Sequence, residues 1–124
     1  MLIKKEDRWK AAFIMNKGLF EPTVMFFGLT NSPATFQTMM NTIFWDLINE
    51  GSMTIYMDDI AIHTGPKQGE MEKEHLACHH ALVRWVLERL RQNDLHLNPE
   101  KCIFEQDHLD FLGVRVTKGV IEME

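Results

Sequence analysis

Apolar positions along this chain change their spacing several times, and each change marks an element. "RWKAAFIM" (8–15) is aromatic and rich in strand-forming residues, and "KGLFE" turns the chain into a second extended piece at "TVMFF" (23–27). In "NSPATFQTMMNTIFWDLINEG" the spacing becomes helical, with Phe36, Met40, Ile43 and Leu47 falling on one stripe. Ser32 fits an N-cap, Pro33 the first helical position and Gly51 the C′ glycine that ends the helix. "MTIYM" and "IAIHT" read as strands around a tip at Asp58-Asp59, followed by the loop "GPKQGE". A long helix is expected from about Glu70 to Asn93, with Cys78, Leu82, Val86 and Leu90 on its apolar face. "NDLHLNPEKC" breaks it at Pro99. "KCIFE", "HLDFLGVRV" and "GVIEM" are expected as short strands, with a turn at Lys118-Gly119. The order β, β, α, β, β, α, β, β predicts an α+β fold, an antiparallel sheet with two helices on one face. At 124 residues the chain reads as one domain, residues 1–124.

Composition changes this picture little. Apolar residues make up 45% and charged residues 25%, ordinary for a globular chain. The longest uncharged stretch, Pro22 to Trp45, carries Gly28, Pro33 and many polar residues, which excludes a membrane span there. No basic-then-apolar leader opens the chain, and Cys78 and Cys102 are too few for a disulfide framework. They read as two unbridged, partly buried thiols, and an intracellular location, cytoplasmic or nuclear, is expected. A net charge of −5 argues against tight nucleic-acid binding by this chain alone, because such affinity comes largely from neutralised phosphates.

The chemistry concentrates at "YMDD". Aspartate is a favoured turn residue, so a plain turn is the simplest reading of Asp58-Asp59 taken alone. Two neighbouring carboxylates repel, however, unless a cation compensates. Oxygen ligands suit magnesium or manganese, and phosphoryl and nucleotidyl transfer use two such ions. That chemistry needs a third carboxylate from another strand.

"YMDD" (56–59) is preceded by "FGLTNSPATFQTMMNTIF" (27–44) and followed by "EH" (74–75), "NDLHLNPEKCIFE" (93–105) and "FLGVRVTKG" (111–119). These ordered blocks resemble the palm of a reverse transcriptase, the polymerase of gypsy-type long-terminal-repeat retrotransposons. The resemblance runs from about Trp9 to Met123. It implies a ferredoxin-like palm without fingers or thumb, and an RNA-directed DNA polymerase using Mg²⁺ or Mn²⁺ on an RNA/DNA template-primer with a deoxynucleoside triphosphate. By position, Asp58 matches the aspartate that binds the catalytic metals, and Asp59 the second, which supports that site less directly. Tyr56 and Met57 match residues facing the primer terminus and incoming nucleotide. Phe27, Gly28 and Leu29 match the nucleotide-pocket wall, Gln37 a position near the template strand, and "FLGV" the start of the primer-grip hairpin.

The departures bear on activity. The family's earlier "LDL"-like strand, which supplies the other metal-binding aspartate, has no counterpart here; the opening residues offer only Glu6 and Asp7, in a polar stretch. Phe26 stands where the family has proline, and "FIMNKG" lacks the basic residue usual after "AF". The chain alone is therefore expected to be inactive, with a non-catalytic, self-associating or partner-binding palm remnant as the alternative. A palm without its neighbours exposes apolar surface, so a homodimer is expected. His75, Cys78, His79 and His80 invite a metal reading, but a solvated helix face is the simpler one.

Overall fold

A computed structural model describes residues 1–65, 71–117 and 120–123. The chain divides into two compact units, Met1–Ile60 and Ala61–Glu124.

The first unit opens differently from the expectation. Lys5–Ala11 forms a 3-10 helix instead of the start of a strand. Its local charges favour the turn: Asp7 accepts from Lys10 Nζ at 2.6 Å, three residues on. Strand β1 (Phe13–Met15) then pairs antiparallel with β2 (Gly18–Phe20), placing Phe13 opposite Phe20 with ring centroids 6.0 Å apart. "TVMFF" is not a full strand. A single bridge joins Leu2 to Val24, flanked by Ile3 N–H to Thr23 O and Met25 N–H to Met1 O, each 2.9 Å.

The expected first helix is two helices, α1 (Ser32–Ile43) and α2 (Trp45–Asn49). The break falls at Phe44, φ −113°, inside Thr42-Ile43-Phe44-Trp45, a run of β-branched and aromatic residues with poor helix propensity. Ser32 is not the N-cap. It is already helical, and its buried hydroxyl donates to Phe26 O at 2.9 Å. The end is as expected: Gly51 has φ +75°, with Ser52 N–H to Leu47 O and Gly51 N–H to Ile48 O closing a Schellman motif. Met40, Phe44, Leu47 and Met53 are the buried apolar side chains described in this unit, with Phe44 fully enclosed. Phe36 and Ile43, on the expected stripe, are only half-buried.

Strands β3 (Met53–Tyr56) and β4 (Asp59–Ile62) pair across a two-residue connection, which makes them an antiparallel hairpin. In the second unit α3 spans Glu72–Gln92. Its expected beginning, and the loop after Gly65, fall outside the described residues. Val86 and Leu90 are buried, Leu82 half-buried and Cys78 exposed, so the apolar face is covered toward the C-terminal end of the helix. "KCIFE" forms no strand: Pro99–Lys101 is a 3-10 turn opened by Asn98 Oδ1, which accepts from Glu100 N–H at 3.1 Å.

"HLDFLGVRV" is a hairpin, not one strand. Strands β5 (His108–Phe111) and β6 (Val114–Thr117) flank a turn in which Leu112 (φ +54°) and Gly113 (φ +77°) are both left-handed, as a type I′ turn requires. Strand β7 (Val120–Met123) pairs antiparallel with β6, and the expected turn at Lys118-Gly119 lies outside the described residues. The α+β order holds, with the strands divided among sheets of two, two and three.

Candidate active site

All eight candidate residues of the nucleotide, primer and metal set lie in the first unit, and α1 is their common scaffold. At its start, Ser32 Oγ holds Phe26 O and Ser32 N–H donates to Leu29 O at 3.1 Å, so "FFGL" is tied to the first helical turn. Gly28, within that stretch, has φ +109°, a conformation a side chain would strain. Phe27 stands exposed and Leu29 half-buried.

Along the same helix, Gln37 reaches the other motif. Its Oε1 accepts from Met57 N–H at 2.6 Å, and its Nε2 donates to Ile55 O at 3.2 Å and to Asn41 Oδ1 at 2.8 Å. One amide thus spans the backbone on both sides of Tyr56. These contacts bring Gln37 and Met57 together, a link that neither residue's type announces. Asn41 was not among the expected site residues; its only sequence signal is its place one helical turn after Gln37.

The hairpin tip is shifted by one residue from the expectation. The turn is Met57-Asp58, and Asp59 is the first residue of β4. Met57 takes φ +52°, the sign that primed hairpin turns need at their first central position. A left-handed non-glycine residue costs roughly 1–2 kcal/mol, so neighbouring structure must hold it there. Asp58 and Asp59 are both exposed. Among the described residues no hydrogen bond or ion pair engages either carboxylate, and no group of three or more His, Cys, Asp or Glu side chains could hold a metal ion. The two carboxylates have the right donor chemistry for a hard cation, yet they do not make a closed two-metal set by themselves.

The histidines of α3, in the second unit, each bond to a different acceptor or donor atom, two of them on Thr64. His75 Nε2 donates to Thr64 O at 2.8 Å, His79 Nδ1 bonds Thr64 Oγ1 at 3.0 Å, and His80 Nε2 pairs with Glu105. Burial, with the nearby His80 and His75, holds the His79 pKa below its ordinary value; Glu105 opposes this. These rings fasten α3 to Thr64 and to the segment after Cys102.

The family described as reverse transcriptase (RNA-dependent DNA polymerase) matches residues 2–116. The Transposon Tf2-3 polyprotein of Schizosaccharomyces pombe is 36% identical over 116 residues, and Tf2-7 of the same organism is 35% identical. Each match covers 94% of this chain, which spans only about 8% of those relatives. Among solved structures, a foamy viral protease-reverse transcriptase in complex with dsDNA matches 99% of this chain and 23% of its own, with a TM-score of 0.80 at 20% identity. The same kind of protein in complex with an RNA/DNA hybrid matches with a TM-score of 0.77, at 24% identity over 99% of this chain and 15% of its own. With the family pattern running across residues 2–116, nearly its whole length, this chain belongs to the reverse transcriptase family.

Proposed function

We propose that this chain is the part of a retrotransposon RNA-directed DNA polymerase that presents the Asp58-Asp59 hairpin. The observation that carries the reading is the turn itself: a left-handed Met57, hydrogen-bonded from α1, sets one exposed carboxylate, Asp58, in the turn and a second, Asp59, at the first position of β4. In the intact enzyme Asp58 would be a ligand of Mg²⁺ or Mn²⁺, with Asp59 supporting it. Bound there, such ions supply charge stabilisation to the attacking and leaving oxygens of nucleotidyl transfer. Phe27, Gly28 and Leu29 would wall the nucleotide, and Tyr56 and Met57 would face the primer end. The structural neighbours, named as complexes with dsDNA and with an RNA/DNA hybrid, support a template-primer as the nucleic-acid partner. An intracellular setting, cytoplasmic or nuclear, is part of the same proposal.

The chain alone is proposed to be inactive, since its described residues supply two carboxylates and not three. Primer extension on RNA and DNA templates, with Mg²⁺ and then Mn²⁺, tests this beside an Asp58→Ala control. No extension above the control is expected. Extension that the substitution abolishes would mean that a further carboxylate completes the site, and the inactivity proposal would fail.

A second reading, a non-catalytic palm remnant that self-associates as a homodimer, is favoured by the exposed apolar side chains. Among them are Phe13, Ile14, Met15 and Leu19 on β1 and β2, where every residue is exposed.

A further inference from the structure

We infer that Gln37 is a positioning residue for the Met57-Asp58 turn, oriented by Asn41, and that its amide is not a contact to the template. The inference deepens the polymerase reading and rests on it for its functional meaning. Its structural content stands on the hydrogen bonds alone.

The backbone fixes the chemistry. Met57 N–H can only donate and Ile55 C=O can only accept, so the Gln37 amide has one orientation, with Oε1 toward Met57 and Nε2 toward Ile55. Asn41 must then present Oδ1 to Nε2, as it does at 2.8 Å. Both amide hydrogens of Gln37 therefore have acceptors, and one oxygen lone pair is taken. No donor is left over for a phosphate or a base edge. In an extended strand the carbonyl before a residue and the N–H after it point to the same side. The Gln37 amide bonds that pair around Tyr56 much as the N–H and C=O of one residue on a neighbouring parallel strand would. It thus pins the backbone beside the residue held at φ +52°. A carboxylate could keep only the Met57 half of this contact, and an isosteric apolar side chain keeps neither. Glutamine is the side chain that serves both.

The test is amide hydrogen exchange of the ¹⁵N-labelled chain, with Mn²⁺ line broadening of the Asp58 and Asp59 amide signals as a second readout. Gln37→Met should speed exchange at Met57 by about tenfold, the loss expected for a net hydrogen bond, with Phe44 and Ile48 amides unchanged. Gln37→Glu, above the carboxylate pKa, should fall between the two by retaining the acceptor. Asn41→Ala alters an exposed residue and should speed Met57 exchange by a smaller factor, about threefold. If the chain binds Mn²⁺ at the tip, Gln37→Met weakens that binding too. Faster Met57 exchange with no Mn²⁺ effect in either protein supports the positioning role and removes the metal reading of this chain. Unchanged Met57 exchange in Gln37→Met, with lost affinity for an RNA/DNA duplex, would overturn the inference in favour of a template contact. An equal acceleration at Phe44 and Ile48 would overturn it as well, leaving Gln37 a residue of general stability.

Discussion

Ser32 shows how a residue's type can be legible while its task is not. Serine before proline at a helix start signals a cap, and the helix does begin there. Its hydroxyl nevertheless turns back to Phe26 O, because at 3% exposure it needs a partner and the "FFGL" segment passes beside it. Ser32→Ala would leave a carbonyl without its donor and should cost about 1–2 kcal/mol, read as a lower urea midpoint with unchanged slope. His79 carries a pH dependence of definite sign. Its folded pKa lies below the ordinary 6.5, so the unfolded chain binds the proton more readily. The stability it lends is complete above about pH 6.5 and is lost as pH falls from there toward the folded pKa. Thermal unfolding at pH 7.5 and at pH 5.5 should show a fall that is smaller in His79→Asn; an equal fall in both proteins would place the dependence elsewhere.

At the scale of elements, sequence signals succeeded where the determinant was local. Gly51 ends α2 because only glycine takes φ +75° without strain, and any L side chain there should cost about 1 kcal/mol. The Asp58-Asp59 tip was displaced by one residue for the opposite reason. Aspartate propensity pointed to both carboxylates, whereas the turn that forms begins at Met57, and the contact on its N–H comes from Gln37, twenty residues earlier in the chain. No window around "YMDD" contains that information. The Leu112-Gly113 turn was hidden in the same way, since leucine is rare at a left-handed position. Leu112→Asn should relieve that strain and raise stability by roughly 0.5–1 kcal/mol, measured by denaturant unfolding. A loss of stability would mean that the half-exposed leucine side chain packs more than its exposure suggests.

For the molecule as a whole, the balance of apolar surface sets behaviour in solution. Seven apolar side chains are buried among the described residues, while Trp9, Phe13, Phe20, Phe27, Trp45 and Phe104 are among the large ones left exposed. Part of this is legible in the sequence, because blocks resembling a palm imply surfaces that other domains would cover; which side chains stay outside is set by the tertiary packing. The β1-β2 ribbon is the clearest case, with a Phe13-Phe20 pair, Ile14 and Leu19 on a two-stranded sheet whose outer edges have no described strand beside them. A ribbon of this kind is marginal by itself in water, and burying it against a second copy removes apolar area and pairs an edge at once. Light scattering at micromolar concentration should therefore give a mass above the 14.5 kDa of one chain. Moderate sulfate should favour the larger species, because excluded salts strengthen apolar burial. Ile14→Lys with Leu19→Glu, both at exposed positions, should return the mass toward one chain without lowering helix content. A single-chain mass for the unmodified protein across that concentration range would rule out the homodimer.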